Sequence, residues 1–156
     1  MTTSVKFLCV SAAAALVAGF VSCQTTRTAT PSDPVLAESA TIFDSTVKGV
    51  LEHRCIHCHH DAAINGGLNF QDRASVFASG GKEAFIIPGK PRESKVWQAI
   101  FRPKSHPNTM PGDGWGLTQE QTKGFLKWIE TGAYWPEGKA GKLKTRKYEI
   151  QLDDYL

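Results

Sequence analysis

The sequence has no internal repeat, which excludes a solenoid or propeller array. Its longest apolar and small-residue run, Phe7 to Val21, is fifteen residues. That is short of the roughly 20 residues a membrane-spanning helix needs. An excess of charge of one sign is also missing. The net charge is +3, and between Cys23 and Gly138 there are 12 basic and 12 acidic residues. That balance leaves no electrostatic footprint for nucleic acid. No acid–base pair and no nucleophile constellation stands out to suggest an enzyme. Sulfur is scarce: the 156 residues include four cysteines and two methionines, one of them the initiator. Where that sulfur sits therefore carries most of the information.

Two of the cysteines lie in Cys55-Ile56-His57-Cys58-His59. Two thiols separated by two residues, with histidine directly after the second, match the attachment signature of c-type haem. The chemistry fixes the spacing. Each thiol adds to one vinyl group of the same porphyrin, so both sulfurs must sit on one turn of backbone. His59 then follows as proximal iron ligand. Three other readings compete. A thioredoxin-type dithiol lacks its βαβ surroundings and does not need the histidine. Zinc would use Cys55, Cys58 and two of His53, His57, His59 and His60, but a later ligand pair is reduced to His106 alone. A disulfide between Cys55 and Cys58 is the third, in an oxidising compartment.

Lys6 followed by the fifteen-residue run has the form of a secretory signal peptide over residues 1–22. The run closes in Phe20-Val21-Ser22-Cys23, which resembles a bacterial lipobox with Cys23 as the lipidated residue. Phe20 departs from the leucine usual there, and the plainer alternative is a spare thiol at Cys23. Cys9 lies within the discarded segment. Both readings export the chain, and lipidation would anchor it at the periplasmic face of a bacterial membrane. Residues 23–38, rich in Thr, Ser and Pro, read as a flexible tether. Residues 39–138 then form one domain of ordinary size.

Within that domain the pattern is all-α. Ile42, Phe43, Val47, Val50 and Leu51 recur at helical spacing from about Ala40 into the cysteine motif. Ser94 precedes Val96, Trp97, Ile100 and Phe101, and Pro103 stops that second helix. Thr118 with Gln121 forms a capping-box pattern, Phe125, Leu126, Trp128 and Ile129 make an apolar face, and Gly132 ends the third helix. Three or more short helices, with Gly/Pro-rich loops around one covalent haem, resemble the class I cytochrome c fold. Its first and last helices would cross, with Gly49 and Gly124 as candidates for the contact. Such a fold needs a distal ligand. Met110, in a Pro-flanked loop before the last helix, is the candidate, with core packing as its alternative role. His106 is the competing ligand. Ile86 and Ile87 are expected against the haem, the four tryptophans in the core or beside it, and Arg54 and Arg92 either solvated or near propionates.

The run Arg54 to His59, Gly66-Gly67-Leu68, Pro88-Gly89-Lys90-Pro91 with Ser94, Met110-Pro111, and Trp128 to Pro136 is similar to the planctomycete-type cytochrome c domain. The resemblance spans about Leu51 to Pro136. It implies haem c held by Cys55 and Cys58, with His59 and Met110 as axial ligands. His60 replaces the small residue usual after the proximal histidine, and Gly112 replaces a second proline. The expected function is a single-haem electron carrier between redox protein partners. The alternative is a haem enzyme or gas sensor with a displaceable distal ligand. From residue 139 to 156 the chain becomes a basic tail. There Tyr148, Ile150 and Leu152 alternate with polar residues, as in an extended segment or a partly ordered end.

Overall fold

The computed structural model describes residues 31–78 and 84–146. The expected signal peptide, the lipidation residue Cys23, the tether up to residue 30 and the tail from residue 147 lie outside the described residues.

One helical run leads into the cysteine motif. It is α-helical over Pro34–Ile42, π-helical over Phe43–Val47, α-helical over Lys48–Val50 and π-helical again over Leu51–Cys55. Asp33 starts it from extended backbone, its carboxylate accepting from the Val35 and Leu36 amides at 2.8 and 3.3 Å. Pro34 follows, where a missing N–H costs nothing. The helix thus begins inside the stretch 23–38 expected as tether and ahead of Ala40. The cap, not the apolar pattern, sets the start. Each π turn takes an extra residue, and across both of them Phe43, Val47, Val50 and Leu51 all stay buried.

The last helix, Gln119–Glu130, opens on the expected capping box: the Gln121 amide donates to Thr118 Oγ1, and the Thr118 amide donates to Gln121 Oε1. Phe125, Trp128 and Ile129 are buried on one face. This face packs on the first helix. A Cβ on Gly124 would lie 2.8 Å from Thr46 Cγ2, and one on Gly132 2.9 Å from Leu36 Cδ2. Buried Ser39 pins the crossing, donating to the Trp128 carbonyl at 3.1 Å and accepting from the Tyr134 amide at 2.9 Å. Phe43, Trp128 and Trp135 meet as tilted rings, with centroids 5.0 to 6.2 Å apart. Full burial of one such ring is worth roughly 1.5–3 kcal/mol. Gly49, in contrast, faces open space and takes no part in the crossing.

Between these helices lie the short helices Arg73–Ala78, which the sequence pattern did not signal, and Lys95–Ile100. The second starts at Ser94, but the Ser94 hydroxyl does not cap it. It accepts from the Ile87 amide and donates to the Lys90 carbonyl, both at 2.9 Å, clamping the Pro88–Pro91 turn. The fold is helix-rich, with one departure: His59–His60 pairs antiparallel with Ala63–Ile64. Residues 139–146, expected as part of a tail, pack on the domain. Leu143 is buried, and its amide donates to the Gln71 carbonyl at 2.8 Å.

The two glycines give opposite predictions. Gly49→Ala should stabilise the domain by up to about 1 kcal/mol through helix propensity alone. Gly124→Ala should cost roughly 1–3 kcal/mol by overpacking Thr46, and Thr46→Ala should recover part of that loss. Chemical denaturation followed by circular dichroism reads both, and equal effects at Gly49 and Gly124 would contradict the crossing.

Candidate functional site

The cysteine motif sits where the first helix ends. The Ile56 amide still donates to the Leu51 carbonyl at 3.0 Å, and the Cys58 amide closes a turn on the Cys55 carbonyl at 3.2 Å. Ile56 is buried and anchors this turn in the core. Cys55 and Cys58 are both free thiols. Desolvation in the cavity wall pushes the Cys55 thiol up to about 12, so it stays protonated at neutral pH.

The segment from Asn65 to Phe70 orients the His59 ring. Nδ1 of His59 lies 2.9 Å from the Asn65 carbonyl oxygen. A carbonyl only accepts, so Nδ1 carries the proton and Nε2 keeps its lone pair for a metal. Desolvation also lowers the pKa of His59 below the ordinary histidine value, against weaker opposition from backbone hydrogen bonds, which favours the neutral, ligating form. The Phe70 ring stands edge-on to the imidazole at 5.9 Å, and the Phe70 amide donates to the His59 carbonyl at 2.8 Å. Gly66 and Gly67 sit at φ +63° and +78°, which lets the chain turn back tightly enough to bring Asn65 onto the ring.

One cavity of about 1090 Å³ gathers the predicted residues: Cys55, Cys58, His59 and Met110 all line it. Its apolar wall comes from residues such as Leu68, Phe70, Phe85, Val96, Leu117 and Phe125. Met110 reaches it from a loop that braces itself. The Met110 amide donates to the Ala99 carbonyl at 3.0 Å, and Thr109 Oγ1 donates to the Pro103 carbonyl at 2.6 Å. His106 is absent from the cavity wall. It is exposed, and its Nδ1 accepts from the Asn108 amide at 3.1 Å.

Three expectations need correction. Phe85, not Ile86 or Ile87, lines the cavity, while Ile86 turns into the core. Trp115 is exposed, unlike the other three tryptophans. Arg54 is not solvated. Its side chain is 1 % exposed and donates from Nη2 to Asp113 at 2.6 Å and to the Gly116 carbonyl at 2.8 Å. This pair ties the cysteine motif to the loop after Met110. Arg92 is exposed, as expected of a solvated arginine. Asn65, Asp113 and Phe85 had no signal of their own in the spacing. A second tie was equally hidden. Buried Glu52 accepts from Arg146 Nε at 2.6 Å and from the Lys144 amide at 3.2 Å, while the Arg146 carbonyl lies 2.8 Å from His57 Nε2.

These donors fit haem c. Two thiols on one turn suit the two vinyl groups, an imidazole with a free Nε2 and a thioether suit iron, and the wall suits a porphyrin face. Zinc finds less: among the described residues no three His, Cys, Asp or Glu side chains are grouped to hold a metal ion. Paired thiols, a following histidine and an apolar cavity are the make-up of a c-type cytochrome domain. Residues 55–114, which include all four predicted residues, match the family model of Planctomycete cytochrome C. No curated protein and no solved structure matches the chain.

Asp113→Ala would leave a buried guanidinium without its counter-ion. The cost should be about 2 kcal/mol, less than for a fully buried pair because Asp113 is 37 % exposed. A denaturation midpoint unchanged in that variant would contradict the role given to the pair.

Proposed function

We propose that this chain is a class I cytochrome c domain that holds one haem and carries single electrons between redox proteins. The observation that carries the reading is the convergence of Cys55, Cys58, His59 and Met110 on one apolar cavity. When bound, the haem supplies a one-electron couple at its iron. Cys55 and Cys58 would hold it by thioethers, each S–H adding across a vinyl double bond without any change in net oxidation state. His59 Nε2 and Met110 Sδ would be the chain's ligands to the iron. The Asn65 carbonyl keeps His59 in the tautomer that ligates, and the apolar wall keeps water from the iron.

Held by both His59 and Met110, the iron would be saturated by the chain's own side chains and would offer no position to a substrate. Outer-sphere electron transfer with little reorganisation results from that saturation. The N-terminal sequence supports the rest of the proposal: export by residues 1–22, lipidation at Cys23, and residence at the periplasmic face of a bacterial membrane. Among the described residues no helix is long and apolar enough to cross a membrane.

The distal assignment is tested by substitution in protein matured with a haem-attachment system. Met110→Ala should keep its haem, lose the weak far-red Met–iron band and bind carbon monoxide when reduced. His106→Ala should match the parent in all three respects. A six-coordinate low-spin ferric spectrum retained in Met110→Ala would overturn Met110 as ligand. Loss of the far-red band in His106→Ala would bring His106 back.

A further inference from the structure

A haem in this cavity is anionic at one edge. Its two propionates leave the macrocycle opposite the vinyl edge, and they ionise at neutral pH. This inference rests on the haem reading. Thioethers at Cys55 and Cys58 would fix the vinyl edge, so the propionates must meet water or a cation contributed by another part of the cavity wall.

Among the described residues the wall contains three Lys or Arg side chains, Arg54, Lys95 and Arg102, and one carboxylate, Asp113. Arg54 adjoins Cys55 at the vinyl edge, and its guanidinium is committed to Asp113 and Gly116. It does not serve the far edge. Lys95 packs over the Phe85 ring, 5.8 Å from its centroid. Arg102 is half-buried, two residues past the Lys95–Ile100 helix. Its Nη1 donates to the Asn108 carbonyl at 3.2 Å. That bond fixes the guanidinium to the loop that presents Met110. A planar fork held in this way suits bidentate recognition of a carboxylate better than an ammonium does.

We infer that Arg102 is the cation that pairs with a haem propionate. It is a positioning residue: it holds the charged edge of the cofactor and, through Asn108, braces the loop carrying the distal ligand. Its positive charge near the iron disfavours the ferric state relative to the ferrous, so it raises the midpoint potential.

The test uses mature haem-loaded protein, and wild type must first show covalent haem. Its absence would defeat the haem reading itself and would be seen before any variant is made. Arg102→Gln should keep the haem and the far-red Met–iron band, lower the midpoint potential and shift the propionate-bending band in the resonance Raman spectrum. Lys123→Gln, which removes an exposed cation from the last helix, should leave both readouts at their wild-type values. If Arg102→Gln does not mature, Arg102→Lys replaces it; the charge stays, the fork is lost, and the propionate band should still shift. Unchanged potential and propionate band would overturn the assignment. So would loss of the Met–iron band with an unmoved propionate band, which would reduce Arg102 to a brace for the loop.

Discussion

The first and last helices meet where Thr46 closes on Gly124, and the rest of the site hangs from that approach. The first helix ends at Cys55. Its direction therefore decides where the two thiols and the following imidazole are presented. A side chain at position 124 would push the helices apart and swing that end. Ser39 and the Phe43–Trp128–Trp135 cluster fix the same crossing from either side, by hydrogen bonds and by buried rings. Packing, more than local propensity, thus controls the placement of the chemistry.

Electrostatics closes what packing begins. Two buried charges lie on the last π turn of the first helix, Glu52 and Arg54, and each reaches a distant segment. Arg54 draws in Asp113 from the loop after Met110, and Glu52 draws in Lys144 and Arg146 from the C-terminal segment. One turn of helix beside the cysteines consequently organises the loop with the distal candidate and the strap that reaches His57. A charge buried here without its partner is costly, so both segments are held to one arrangement.

How much of this was legible depends on the range of the interaction. The capping box at Thr118 and the stop before Pro103 are local patterns, and each appears where the sequence placed it. Asp33-Pro34 is also a local signal, but it lies outside the apolar periodicity that begins near Ala40. Arg54 and Asp113 are 59 residues apart, and no spacing rule connects them. The same holds for Glu52 and the C-terminal strap. The run from Ala84 to Ile87 is apolar, but which of its residues face the cavity depends on where the Ser94 clamp fixes its phase. Gly49 and Gly124 looked equivalent in sequence. Only the packing of Thr46 separates them.

The central claim is one six-coordinate haem c in the cavity shared by Cys55, Cys58, His59 and Met110. The most direct test is the absorption spectrum of protein matured with a haem-attachment system, recorded oxidised, reduced, and reduced under carbon monoxide. The account predicts a low-spin c-type spectrum, with the far-red Met–iron band when oxidised and no response to carbon monoxide. A high-spin spectrum that shifts under carbon monoxide, or a colourless protein, would contradict it.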